Sequence, residues 1–109
     1  MIYEMRTYWA APGKSAEMHK RFRTLTVNLF ARHGMGMLGF WSPFPVTPES
    51  GDLVYILAFE DEAAKTAAWN AFRDDPEWIA GKTASEVNGT LVDKLTSVLL
   101  SPTDYSPLK

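Results

Sequence analysis

The chain has 109 residues, 46% hydrophobic and 22% charged, a balance that fits one water-soluble globular domain and excludes a disordered chain. A formal net charge of -2 offers no basic footprint for nucleic acid, and the absence of cysteine removes disulfides, thiolate metal sites and a cysteine nucleophile. No apolar run reaches the length of a membrane span and no leader pattern opens the chain, so a mature cytoplasmic protein is expected.

Ile2 to Trp9 reads as a strand with unusual chemistry. Glu4, Arg6 and Tyr8 alternate with Tyr3, Met5, Thr7 and Trp9, so the carboxylate, guanidinium and phenol share one face. Ala11-Pro12-Gly13-Lys14 is a turn, and Ser15 is suited to cap the helix that follows. Met18, Phe22, Leu25 and Leu29 recur at helical spacing, and Arg32-His33-Gly34 closes that helix with basic groups and a left-handed glycine. Gly36 to Trp41 forms a second strand, followed by a proline-rich loop over 43–51. Asp52 to Glu60 is a third strand, and its unbroken run from Leu53 to Phe59 suggests burial on both faces. A second helix starts near Asp61 and stops before Pro76. Asp75-Pro76 then opens a short helix through Trp78 and Ile79. Leu91 to Leu100 supplies a fourth strand, so the domain covers 1–100 and an extended tail 101–109.

This βαββαβ order predicts an α+β, ferredoxin-like fold, an antiparallel sheet with its helices on one face. If the third strand is buried on both faces, a homodimer packing two sheets face to face as a dimeric α+β barrel is the economical cover. In that arrangement the compact Val54, Ile56 and Ala58 lie under the helices with Tyr3, Met5 and Thr7. Glu4, Arg6, Tyr8 and Tyr55 then face a lumen on the other side.

Several segments resemble the NIPSNAP family: Tyr3-Glu4-Met5-Arg6-Thr7-Tyr8, Pro12-Gly13-Lys14, His33-Gly34 with Leu38-Gly39-Phe40-Trp41, and Asp75-Pro76-Glu77-Trp78. The resemblance implies a dimeric α+β barrel in a superfamily that includes cofactor-free monooxygenases, isomerases and haem-binding enzymes, with no reaction established for the family. Where the family often has a histidine and a tryptophan on the third strand, this chain has Tyr55 and Leu57.

The expected function is binding of a small, partly apolar, anionic molecule in the lumen without a cofactor. Arg6 is the anchor, since guanidinium holds a carboxylate or enolate through two hydrogen bonds. Glu4 is the candidate base and Tyr8 the candidate acid or orienting group, with cofactor-free oxygenation or isomerisation as the reaction class. Tyr55, Trp41 and His33 complete the candidate binding set. Each has a structural alternative: a register-fixing ion pair for Glu4 and Arg6, packing for Tyr8, Tyr55 and Trp41, and helix capping for His33. His19 and His33 are too isolated to form a metal site, although haem binding through either is a further possibility. The second functional reading is a non-enzymatic interaction module that uses its outer surface and the 43–51 loop, with Phe44 and Val46 near its tip.

Overall fold

Tyr3 of the first strand pairs with Ala58 on one side and Leu100 on the other, and that double pairing organises the molecule. A computed structural model describes all 109 residues, Met1 to Lys109. β1 (Ile2–Ala10) runs antiparallel to both β3 (Leu53–Phe59) and β4 (Val92–Leu100), and β2 (Gly36–Trp41) pairs with β3 to give the order β2-β3-β1-β4. The ferredoxin-like order of elements is therefore present, with the two central strands supplied by β1 and β3.

The sheet is open, which overturns the expected dimeric α+β barrel. β2 and β4 stand at opposite edges with no strand joining them. The premise behind the barrel also changes. β3 is not equally buried on both faces: Leu53, Tyr55, Leu57 and Phe59 are buried, while Val54, Ile56 and Ala58 between them are half-buried.

The face assignment is reversed as well. Tyr55 and Leu57 are fully buried in one core with Met18, Phe22, Leu29, Phe30, Trp69 and Phe72 from the helices. Large rings, rather than compact side chains, fill the space between the layers. Tyr55 lies 5.6 Å from Phe22 and 5.8 Å from Phe30 between ring centroids, and Phe30 lies 5.1 Å from Phe72. Such tilted pairs add about 0.5–1.5 kcal/mol each beyond burial. Glu4, Arg6 and Tyr8 pair with Leu57, Tyr55 and Leu53, so they too point at the helices. Met5, Thr7, Val54, Ile56 and Val98 occupy the uncovered face.

The first helical region is less regular than its spacing predicts. α1 (Ser15–Arg21) begins at Ser15, with Lys14 at the cap position and no side-chain cap. One π-helical segment (Phe22–Thr26) separates it from α2 (Val27–Arg32). Met18, Phe22 and Leu29 of the expected row are buried, while the wider turn brings Thr26 and Phe30 inward and leaves Leu25 half-buried against Gly81. Such bulges gather at functional sites. His33 closes α2, and Gly34 takes the left-handed φ of 73° expected of it.

α3 (Glu62–Asp74) is capped by Asp61, whose side chain accepts from Ala64 N at 2.8 Å. α4 (Pro76–Ser85) is longer than expected and starts as its sequence indicates. Asp75 Oδ1 accepts from Glu77 N at 2.9 Å, and Pro76 occupies the first turn. No helix is long and apolar enough to cross a membrane.

Candidate functional site

The site begins with the alternation on β1. Glu4 is almost completely buried, and both of its oxygens are occupied. Trp69 Nε1 donates to Oε1 at 2.7 Å, while Arg6 Nε at 2.8 Å and Ser97 Oγ at 2.6 Å donate to Oε2. Burial pushes this carboxyl up, but the bonds from Ser97, Arg6 and Trp69 outweigh it and hold Glu4 below the ordinary carboxylate range. The group is therefore ionised and fully engaged.

Arg6 is fixed by that carboxylate. Its guanidinium carbon lies 3.9 Å from the Trp69 ring centroid, and Nη1 donates to Tyr8 Oη at 3.1 Å. Burial works against its charge, yet Tyr8, Tyr55 and Glu4 hold it above its ordinary value. Tyr8 Oη in turn shares a 2.9 Å hydrogen bond with Tyr55 Oη. Burial and the neighbouring Tyr8 push the Tyr55 phenol well up, so it stays neutral.

Above this network a cavity of about 440 Å³ lies between the sheet and the helices. That volume suits a small ligand. Arg6 and Tyr8 form part of its floor; Phe22 and Thr26 come from the π segment, Trp69, Phe72 and Arg73 from α3, and Trp78, Lys82 and Glu86 from α4. Arg21 at the end of α1 completes the helical wall. Phe72 and Trp78 are stacked at 4.6 Å.

The charge in this cavity is unbalanced. Glu86 accepts from Arg21 at 2.9 Å and from Lys82 at 3.0 Å, and those two bonds overcome its burial to hold it below its ordinary value. Glu4 compensates Arg6. Arg73 is exposed and has no ion pair; it lies 5.4 Å from the centroid of the Trp69 ring, which Arg6 also approaches. Four basic groups, Arg6, Arg21 and the exposed Arg73 and Lys82, thus line the half-open cavity with one carboxylate, Glu86, while Glu4 lies beneath it.

The NIPSNAP family model matches residues 3–107, nearly the whole chain. The chain belongs to the NIPSNAP family. The crystal structure of a NIPSNAP domain protein from Burkholderia xenovorans is 25% identical, with a TM-score of 0.81, covering 98% of this chain and 99% of that one. A NIPSNAP family protein from Agrobacterium tumefaciens is 24% identical, with a TM-score of 0.83, and the match covers 99% and 98% of the two chains. A Dabb family protein with a ferredoxin-like fold from Mesorhizobium loti is more distant, at a TM-score of 0.58 and 17% identity over 94% and 96%. Among curated proteins none matches the sequence.

In this NIPSNAP protein the six candidate residues do not form one cluster. Arg6 and Tyr8 line the cavity, and Glu4 and Tyr55 support them from beneath. Trp41 pairs with Val54 on the uncovered sheet face and is half exposed. His33 lies at the end of α2, where Nε2 is 2.8 Å from Asp75 Oδ2. With the Glu77 backbone N–H and Arg32, that contact holds Asp75 below the ordinary carboxylate range and ties α2 to the start of α4. Phe44 on the 43–51 loop stands wholly in solvent.

Sequence reading missed Arg21, Arg73, Lys82 and Glu86, and took Trp69 and Trp78 for packing. A signal for part of this set was present: Trp69 and Arg73 are one helical turn apart on α3, a spacing that stacks a guanidinium near an indole.

Proposed function

We propose that this NIPSNAP protein binds a small, partly apolar, anionic molecule in the cavity between its sheet and its helices. The observation that carries this reading is a half-open cavity lined in part by aromatic rings, with the mostly buried Arg6 on its floor and the exposed Arg73, a guanidinium with no carboxylate partner, on its wall. A mostly buried cation such as Arg6 attracts an anion more strongly than one in open water does. Arg6 and Arg73 supply the charge, Trp69, Phe72 and Trp78 the apolar contact, and Tyr8 a hydroxyl. Glu4, engaged by three donors, serves here to hold Arg6 rather than to take a proton.

If the protein also transforms its ligand, cofactor-free oxygenation or isomerisation of an enolisable or phenolic compound suits this cavity, with Tyr8 as the orienting group. Calorimetric titration with aromatic carboxylates and their neutral amides tests the binding claim. Tighter binding of the acids, reduced by Arg73→Gln, supports it. Equal binding of acid and amide, or no binding of either, contradicts it.

We also propose that the protein works as a homodimer through the uncovered sheet face. Met5, Val54, Ile56 and Val98 leave an apolar strip there, with Trp41 at its edge, and water-exposed strips of this kind favour burial. Light scattering should give twice the 12.2 kDa chain mass. A monomer at micromolar concentration would rule the dimer out.

A further inference from the structure

Donor hydrogens outnumber the acceptors beneath the cavity. Arg6 Nη1 donates to Tyr8 Oη at 3.1 Å, and the Tyr8 and Tyr55 hydroxyls share one bond of 2.9 Å. Tyr55 is fully buried among aromatic rings and its hydroxyl has no second polar partner. Its hydrogen therefore belongs in the bond to Tyr8, because any other orientation leaves a donor unpaired in the core. Tyr8 Oη then accepts twice, which fills both of its lone pairs. Its own hydrogen is left over. Tyr8 lines the cavity and Tyr55 does not, so the surplus donor lies at the cavity floor.

Tyr8 Oη makes no hydrogen bond besides those with Arg6 and Tyr55. The one carboxylate on the lining, Glu86, is already held by Arg21 and Lys82. The titratable or charged groups around Tyr8 are Arg6 on its own strand, Tyr55 on β3, Arg21 on α1, Arg73 on α3, and Lys82 and Glu86 on α4. Donors and positive charge dominate that set. Aromatic rings such as Phe22, Trp69 and Trp78 share the lining with aliphatic and charged side chains.

Resting on the cavity reading above, we infer that the ligand is bound in its ionised form, as a phenolate or enolate whose oxyanion accepts the Tyr8 hydroxyl hydrogen close to Arg6. On binding, the ligand's O–H bond breaks with its electron pair left on oxygen, and the proton goes to bulk water. Nothing is oxidised or reduced. Tyr8 acts as a hydrogen-bond donor that selects the ionised ligand.

A nitrophenol is a suitable probe, because its absorbance separates phenol from phenolate, and the matching nitroanisole, which cannot ionise, serves as the cavity control. Both are titrated over a range of pH against the wild-type chain, Tyr8→Phe and Arg73→Gln. The phenolate should bind at least about tenfold more tightly than the phenol, which lowers the bound probe's pKa by about one unit. Tyr8→Phe and Arg73→Gln should each remove much of that preference, weakening phenolate binding more than nitroanisole binding. If phenol, phenolate and nitroanisole bind equally, or if Tyr8→Phe keeps the full preference, the oxyanion inference fails and the cavity reading survives. If none of the three probes binds, both fail. Should Tyr8→Phe not fold, the wild-type pH series and the variant Arg73→Gln decide the outcome.

Discussion

Trp69 Nε1 donates a 2.7 Å hydrogen bond to Glu4 Oε1 and so joins the first strand to the third helix across the core. The same indole carries the guanidinium of Arg6 on its face at 3.9 Å. One ring therefore fixes both the carboxylate and its counter-cation, and the cavity floor inherits that rigidity.

The Glu4 and Arg6 pair should be a major determinant of stability. Glu4→Gln removes the counter-charge from a mostly buried guanidinium, and breaking such a pair costs about 3–5 kcal/mol. Ser97→Ala removes one neutral donor among three and should cost about 1 kcal/mol. Urea denaturation of the two variants checks the ranking. Equal costs would show that the charge is not held as described.

Acid should weaken the fold through the carboxylates that are held low. Glu4 and Glu86 both have folded pKa values lowered from the ordinary 4.5. The unfolded chain then binds more protons in that range, so their contribution is full above the ordinary value and is lost as pH falls through the lowered ones. Urea midpoints should hold steady from about pH 7 to about pH 5 and decline below about pH 4.5. Glu4→Gln should flatten part of that decline. An acid limb identical to that of wild type would remove Glu4 from the explanation.

The two linked tyrosines should not be equivalent. Tyr55→Phe leaves Tyr8 still bonded to Arg6 and should cost about 0.5–1.5 kcal/mol. Tyr8→Phe strands the Tyr55 hydroxyl in the core and frees Arg6 Nη1, so it should cost more, about 1–3 kcal/mol. Thermal and urea melts of both variants give the order. The reverse order would contradict the proton assignment.

Gly51 combines a left-handed backbone with close neighbours. It has a φ of 74°, and a Cβ there would lie 2.8 Å from Thr7 Cγ2 and 3.1 Å from the Tyr8 carbonyl oxygen. Gly34 has a similar φ of 73° with nothing within 4 Å. Gly34→Ala should therefore lose about 1–2 kcal/mol from backbone strain alone, and Gly51→Ala more than that. Comparable melting temperatures for the two would argue against close packing at Gly51.

The order of elements was legible because its signals are local. Asp61, and Asp75 with Pro76, mark helix starts by their own chemistry, and Gly34 marks an end. The facing of β1 was not legible, since both of its alternating sets contain aromatic residues and only one contains charge. What draws the charged set inward is Trp69, 65 residues along the chain from Glu4, and Ser97, 93 residues from it. No pattern within one strand reveals partners at that distance. The same holds for the cavity: Arg6 and Tyr8 were visible on β1, whereas Arg73, Lys82 and Glu86 join them only when α3 and α4 fold over the sheet. The barrel expectation failed for a related reason, because a continuous apolar run does not separate a strand buried on both faces from one whose second face is apolar but open.

The four tryptophans allow the location of the ligand to be read directly. Trp69 and Trp78 line the cavity, while Trp9 and Trp41 belong to the uncovered side of the sheet. With the indole nitrogens labelled, an NMR titration with an aromatic carboxylate reports on both sides at once. We expect the Trp69 and Trp78 signals to move together and saturably while those of Trp9 and Trp41 stay in place. Movement of Trp9 and Trp41 alone would put the ligand on the opposite face and contradict the cavity between sheet and helices as the binding site.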